Sequence, residues 1–80
     1  MNIRFYNNTA LKFIRKQQAK QQQRIMAAIK RLPEGDIKLL KGKDNIYRLR
    51  VGDYRVTFSI DHVQEEIIIR TADNRGDIYK

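Results

Sequence analysis

The chain has 80 residues, enough for one domain (1–80) with a thin core, and no cysteine. The lack of cysteine excludes disulfides and thiolate metal sites and is typical of the reducing cytoplasm. Seventeen Lys and Arg against nine Asp and Glu give a formal net charge of +8, and the longest apolar run, 25–29, is far shorter than the about 20 residues of a membrane-spanning helix. Residues 1–35 contain eight basic side chains and one acidic one, whereas residues 36–80 contain nine and eight. Such a charge distribution attracts polyanions, and it favours a nucleic-acid partner over a merely solvated surface.

The N-terminal half predicts one strand followed by two helices. Polar and apolar residues alternate over 2–6, which predicts a strand, and residues 7–9 are of the types that cap a helix N-terminus. A first helix follows, and the glutamine-rich stretch 17–23 predicts a break near Gln18. A second helix is predicted by apolar residues at the spacing i, i+3, i+4, i+7, namely Ile25, Ala28, Ile29 and Leu32. Residues 33–35, Pro-Glu-Gly, end it.

The C-terminal half predicts a sheet. Strands are expected at 37–40, 46–51, 55–60 and 66–71, with a tight hairpin at Gly52-Asp53 and a turn over 61–64. The last segment, 72–80, is less regular. The predicted fold is therefore α+β with the order βααββββ, in which an N-terminal helical hairpin packs on one face of a twisted, mostly antiparallel sheet.

Three arginines are candidates for chemistry. Arg48 and Arg50 are two residues apart on one strand, so both project from the same face, and Arg55 lies just across the hairpin. The planar guanidinium fork suits phosphate oxygens. The alternative is cross-strand charge pairing, for instance with Asp53 or Asp44, and the residues alone leave both interpretations open.

Other polar residues give weaker signals. Arg75 and Tyr79 fall in the last segment, where a final strand would bring them beside the three arginines, although a tyrosine near a terminus is more often a packing residue. His62, the only histidine, is expected to be an exposed turn residue rather than a general base. No metal site and no cofactor are expected, because the residues show neither a ligand cluster nor a glycine-rich phosphate loop.

Seven further basic residues are candidates for docking on a polyanion. Most of them lie on the outward side of the predicted helices, and two follow the first strand after the helices. The residues predicted to contact nucleic acid or the ribosome are Lys12, Arg15, Lys16, Lys20, Arg24, Lys41 and Lys43.

Two runs of the sequence resemble the RelE/ParE toxin superfamily. Residues 39–42 (LLKG) with 47–56 (YRLRVGDYRV) are similar to its central hairpin, and residues 67–70 (IIIR) with 74–79 (NRGDIY) are similar to its last strand and C-terminal motif. The resemblance implies a compact microbial-RNase-like fold whose RelE members cut messenger RNA in the ribosomal decoding site. It also implies a cognate antitoxin protein, with the toxin as a monomer inside a hetero-oligomeric complex.

The same resemblance assigns roles to residues. The basic positions of the hairpin correspond to Arg48, Arg50 and Arg55, and the C-terminal arginine and tyrosine correspond to Arg75 and Tyr79, so these five are the expected catalytic residues. RelE proteins often have lysines at the first two positions, and arginine cannot act as a general base near neutral pH. Many relatives have a histidine where this chain has Asn74, so a histidine-based mechanism is not expected there.

Two other functions remain open at this point. A ParE-like toxin of the same fold would poison DNA gyrase, and the superfamily motif does not exclude it. A non-catalytic basic module would bind RNA or the ribosome and would tolerate a change at Tyr79. The clustered arginines favour RNA cleavage, because a gyrase-binding surface would not require them.

Overall fold

The predicted βααββββ order is confirmed over residues 1–42 and 45–74, the part of the chain that the computed structural model describes. The helices are α1 and α2, and the strands are numbered in chain order. Their bounds are β1 Asn2–Phe5, α1 Thr9–Arg15, α2 Ala19–Lys30, β2 Ile37–Lys41, β3 Ile46–Val51, β4 Tyr54–Asp61 and β5 Glu66–Asn74. The break between the helices falls at the predicted place, next to Gln18, whose backbone is extended.

The five strands form one mixed sheet in the order β1-β5-β4-β3-β2. β1 runs parallel to β5, while the other three neighbouring pairs are antiparallel. The sheet is therefore mostly antiparallel, as predicted. β5 is longer than predicted, because its register with β4 continues past residue 71 and pairs Ala72 with Val56 and Asn74 with Tyr54.

The core lies between the helical hairpin and one face of the sheet. Alternate residues of β3, β4 and β5 face the helices, and Phe58, whose ring stacks on Tyr47 at 5.4 Å between centroids, is completely buried among them. The buried apolar residues are Ala10, Ile14, Ile25, Ile29, Leu32, Leu49, Val51, Val56, Phe58, Ile67, Ile69 and Ala72. Packing one layer of helices on one layer of sheet lets an 80-residue chain bury the apolar side of the helices against the apolar face of the sheet.

A glutamine fixes the helical hairpin to the sheet. Gln17 Nε2 donates to the Phe13 carbonyl oxygen (3.0 Å), and the Tyr54 hydroxyl donates to Gln17 Oε1 (3.1 Å). Gln22 Nε2 donates to the Gln17 carbonyl oxygen (2.8 Å), which satisfies a group at the end of α1. The ring of Tyr54 also meets that of Phe13 edge-on, at 6.0 Å between centroids. These bonds fix the helix break against the start of β4, beside Arg55.

Candidate nucleic-acid interface

The sheet has a second face that no described helix covers, and we call it the helix-free face. It is formed by the side chains of β3, β4 and β5 that alternate with the core residues, together with neighbours from β1 and β2. Thr57 and Ser59 on this face are nevertheless buried, because the longer side chains around them shield them, and the hydroxyls of Thr57 and Thr71 are hydrogen-bonded to each other. The charged residues of the face are Arg4, Asp36, Lys38, Arg48, Arg50, Arg55, Asp61, Glu66, Arg70 and Asp73.

The structure brings the three predicted arginines of the hairpin together on this face. Arg50 and Arg55 are direct partners in the register of β3 and β4, and Arg48 is opposite Thr57 two residues further along. The two-residue turn that joins the strands contains Gly52 in the left-handed region at φ +58°, a conformation that glycine adopts without steric cost. The tight hairpin therefore sets the spacing of the arginine cluster, by which we mean Arg48, Arg50 and Arg55.

The cluster is paired with two carboxylates. Arg50 Nε donates to Asp36 Oδ2 at 2.9 Å, and Arg48 Nη2 is 3.7 Å from the other oxygen of the same carboxylate. Arg55 Nε is 3.8 Å from Asp73 Oδ1. Charge pairing does occur, then, but with residues just before β2 and on β5 rather than with Asp53, while Asp44 lies outside the described residues. The pairing depends on the register of β2 and β5 with the hairpin, which the sequence did not specify.

Two members of the cluster are poorly satisfied as hydrogen-bond donors. The side chains of Arg48 and Arg55 are only 12% and 22% exposed, and the Nε atom of each is buried without a hydrogen-bond partner in the described part of the chain. Buried donors are normally hydrogen-bonded, and leaving one unpaired is unfavourable. The cluster therefore combines shielded positive charge with unused donor atoms on the helix-free face.

A stacked pair at the β1 edge of the helix-free face was not singled out from the sequence. The guanidinium carbon of Arg70 lies 4.5 Å from the centre of the Tyr6 ring, and Arg4 Nε donates to Glu66 Oε1 at 3.3 Å nearby. The alternation over residues 2–6 does place Tyr6 away from the core. The alternation does not predict that β1 pairs in parallel with β5, and this pairing brings Arg70 beside Tyr6.

The predicted docking residues of the helices form a separate basic surface. Lys12, Arg15, Lys16 and Lys20 are exposed on α1, α2 and their junction, on the opposite layer of the molecule from the arginine cluster. Arg24 is also exposed, but the end of its side chain reaches Gly52 in the turn of the hairpin. Lys41 belongs to β2, the edge strand of the sheet. Lys43 lies outside the described residues, as do Arg75 and Tyr79.

His62 is where the sequence placed it, exposed in the turn between β4 and β5. Asp61 Oδ1 accepts hydrogen bonds from the backbone amides of Val63 (3.0 Å) and Gln64 (3.1 Å), which explains the turn. Over residues 1–42 and 45–74, no group of three or more His, Asp or Glu side chains is arranged to hold a metal ion. Within the same ranges, no helix is long and apolar enough to cross a membrane.

Comparison with known proteins identifies the family. The sequence model described as "ParE toxin of type II toxin-antitoxin system, parDE" matches residues 3–78. The chain belongs to the RelE/ParE toxin family of type II toxin–antitoxin systems. It is also similar to a protein of Methanocaldococcus jannaschii named putative toxin RelE1, at 44% identity over 45 residues, which cover 56% of this chain and 50% of that protein. The matched region thus spans only half the length of this curated relative.

Solved structures of RelE toxins share the fold. The RelE–RelB complex from Pyrococcus horikoshii OT3 gives a TM-score of 0.78 at 21% identity and covers 94% of both chains. The RelB–RelE antitoxin–toxin complex from Methanococcus jannaschii gives 0.72 at 28% identity and covers 94% of this chain and 93% of that one. Both neighbours were crystallised with a RelB antitoxin.

Proposed function

We propose that this toxin is an endoribonuclease that cuts messenger RNA while the message is held in the ribosome, and that it needs neither a metal nor a cofactor. The observation that carries the proposal is the arginine cluster, in which two shielded guanidinium groups have buried Nε donors with no hydrogen-bond partner over residues 1–42 and 45–74. In hydrolysis or transfer at a phosphate, negative charge accumulates on the oxygens as the bond breaks. Preorganised donors at that position stabilise the transition state more than the ground state.

In the proposed reaction the RNA supplies its own nucleophile. The 2′-hydroxyl oxygen attacks the adjacent phosphorus, the bond from phosphorus to the 5′ oxygen of the next nucleotide breaks, and a 2′,3′-cyclic phosphate and a 5′-hydroxyl end are formed. DNA is excluded because it lacks the 2′-hydroxyl. Tyr79 is our candidate for taking the proton of the 2′-hydroxyl, and Arg75 for orienting the phosphate or neutralising the leaving oxygen, which takes a proton from water to become the 5′-hydroxyl. Because an ordinary tyrosine is a poor base at neutral pH, a group of the ribosomal RNA is expected to assist.

The carboxylates that pair with the cluster do not prevent phosphate binding. Asp36 is 49% and Asp73 is 40% exposed at the side chain, so each carboxylate has room to turn toward solvent when an anion arrives. A phosphate of the message would take the place of a carboxylate beside the arginines, and it can contact more than one guanidinium group. We propose that Asp36 and Asp73 hold the arginines in position until the message arrives.

The proposed partner of the free toxin is a cognate antitoxin. Support comes from the structural neighbours, whose toxins were solved with RelB. The arginine cluster offers a site for the carboxylates of such a partner, and a segment that folds as it binds would cover the helix-free face. In this proposal the toxin is monomeric within the complex and acts in the cytoplasm.

The second candidate is gyrase poisoning, because the family model that matches the chain is described as a ParE toxin. The two functions are separated by one set of assays on the purified toxin. Primer extension would map 5′ ends on a message bound to ribosomes and on the same message free in solution, and a supercoiling assay would measure gyrase activity. We expect cuts in the ribosomal A site alone and no effect on supercoiling.

Equal cutting of the free message would reject ribosome dependence. Inhibited supercoiling without cuts would favour the ParE-like function, and ribosome binding without either activity would favour a non-catalytic module.

A further inference from the structure

The Tyr6–Arg70 pair is an exposed stacked platform at the edge of the helix-free face. Tyr6 is 56% exposed, although its backbone is fixed to the sheet, because its amide donates to the Ile69 carbonyl oxygen at 2.8 Å. The Arg70 guanidinium lies 4.5 Å from the centre of the ring. A large aromatic side chain that is more than half exposed contributes little to the core, yet its position is fixed by both the backbone and the guanidinium.

The register of the sheet aligns this pair with the arginine cluster. Lys38 is opposite Arg48, Arg48 is opposite Thr57, and Thr57 is opposite Thr71, which follows Arg70 directly. The platform therefore lies at one end of a row that crosses the sheet through Arg48. Arg48 and Tyr6 are separated by three strand spacings, which amount to about 14 Å. A few nucleotides of an extended single strand span such a distance, so one RNA segment would contact both places.

From this arrangement we infer that the Tyr6–Arg70 pair is a nucleobase-stacking subsite of the toxin, and that it holds a base of the message near the one whose phosphate is cleaved. This inference rests on the proposed function and adds a second contact to it. Aromatic side chains on a sheet surface are a common means of stacking unpaired RNA bases, and arginine planes stack on bases as well.

The charge of the face suits RNA, a polyanion, as the occupant of the platform. Six Lys and Arg side chains against four Asp and Glu side chains are described on it, so a polyanion is attracted. Stacking accepts any base, because every base has a flat face. The platform would therefore raise affinity for the message without setting a codon preference.

The test uses an RNA in which one nucleotide is 2-aminopurine, whose fluorescence falls when it stacks. Three proteins are compared: wild type, Tyr6→Leu and Tyr6→Phe. Each is mixed with the RNA free in solution and with the same RNA as the A-site codon of a programmed ribosome. Wild type and Tyr6→Phe, which keeps the ring, should quench the probe with affinities within about two-fold of each other. Tyr6→Leu should lose the quench and bind about ten-fold more weakly. Because Tyr6 is exposed, urea denaturation should show that all three proteins are equally folded.

Cleavage of the same message separates this inference from the proposed function. Tyr6→Leu should raise KM about ten-fold and leave kcat unchanged, since stacking is equal in the ground and transition states. Arg55→Ala should slow cleavage about 10²- to 10³-fold but keep the quench. If Tyr6→Leu quenches like wild type, or if wild type does not quench the probe in either setting, the subsite is overturned, whether or not the toxin cuts. If wild type fails to cut while the quench still depends on Tyr6, the subsite stands as an RNA-binding site and the proposed nuclease function falls.

Discussion

Asp36 shows how a single carboxylate both positions and restrains the arginine cluster. It contacts Arg48 and Arg50 together, and its own backbone carbonyl accepts a hydrogen bond from the Arg50 amide at 3.0 Å. The backbone bond fixes the residue just before β2 regardless of its side chain. The carboxylate therefore holds the two guanidinium groups and also competes with the anion that the cluster is proposed to bind.

The change Asp36→Asn should strengthen binding of single-stranded RNA a few-fold and increase its dependence on salt, because one competing negative charge is removed. The free energy of unfolding should change by less than about 1 kcal/mol, as expected for an exposed ion pair. Fluorescence titration at several salt concentrations measures the first effect and urea denaturation the second. The matched control is Asp53→Asn, which removes the same charge from an exposed hairpin residue. Equal gains for both variants would mean that net charge, and not competition at the cluster, is responsible.

Gly52 sets the hairpin that spaces the arginines. At φ +58° a side chain is strained, and a Cβ added there would lie 2.8 Å from Arg24 Nη2. We expect Gly52→Ala to lower the free energy of unfolding by about 1 to 2 kcal/mol through the backbone alone, since the end of the Arg24 side chain is flexible. Urea denaturation of Gly52→Ala with and without Arg24→Ala tests this. Recovery of wild-type stability in the double variant would show that the clash with Arg24, and not the backbone conformation, is decisive.

At the scale of elements, the basic outer surface of the helices and the arginine cluster are on opposite layers of the molecule. The helices are therefore free to contact one polyanion while the sheet acts on another. We propose that α1 and its junction with α2 dock on ribosomal RNA.

Changing Lys12, Arg15 and Lys16 together to Gln should weaken ribosome binding and reduce the slope of log affinity against log salt, by about one for each phosphate that the helices no longer neutralise. Sedimentation with ribosomes at several salt concentrations measures the slope. The control variant carries Lys30→Gln and Arg31→Gln at the end of α2, outside the predicted contact set, and should keep most of the slope. An unchanged affinity of the triple variant at every salt concentration would refute the docking assignment.

The elements themselves were largely predictable from local signals. The apolar spacing of α2, the break near Gln18 and the Gly52-Asp53 hairpin all follow from periodicity and backbone preference, which act over a few residues. The extension of β5 to Asn74 was not predictable, because it arises from pairing with β4. The irregularity in that pairing between Thr57 and Phe58, beside Arg70, is likewise a property of two strands together.

The candidate site was likewise predictable only in part from local signals. That Arg48, Arg50 and Arg55 share a face follows from alternation along the strands. Their partners Asp36 and Asp73 do not follow from it, since both come from neighbouring segments whose register is set by the core. The sequence also did not show that Gln17 would be hydrogen-bonded to Tyr54, because a glutamine-rich stretch gives no signal for which side chain turns inward.

At the scale of the whole molecule, we expect an antitoxin to neutralise the toxin by covering the helix-free face. If an acidic segment does so, Arg55→Ala should bind the antitoxin less tightly, because a carboxylate of the partner loses its counter-ion. Tyr79→Phe, which keeps the ring, should bind it nearly normally, while both variants lose toxicity. Co-expression with the neighbouring open reading frame followed by calorimetry of the purified pair measures this. Full antitoxin affinity of a non-toxic Arg55→Ala would show that the antitoxin acts from a remote surface.

We propose that the helix-free face of the sheet cleaves the message and that the helical face docks the toxin on ribosomal RNA. The decisive measurement is the single-turnover rate of cleavage of an A-site message at saturating toxin, for wild type, Arg48→Ala, Arg55→Ala and the triple helix variant. We expect each single arginine variant to lose about 10²- to 10³-fold in rate even at saturation, since a preorganised donor is missing in the transition state. The triple variant should reach the wild-type rate once its concentration is raised. Wild-type rates for both arginine variants, or an equal loss for the triple variant at saturation, would contradict this division.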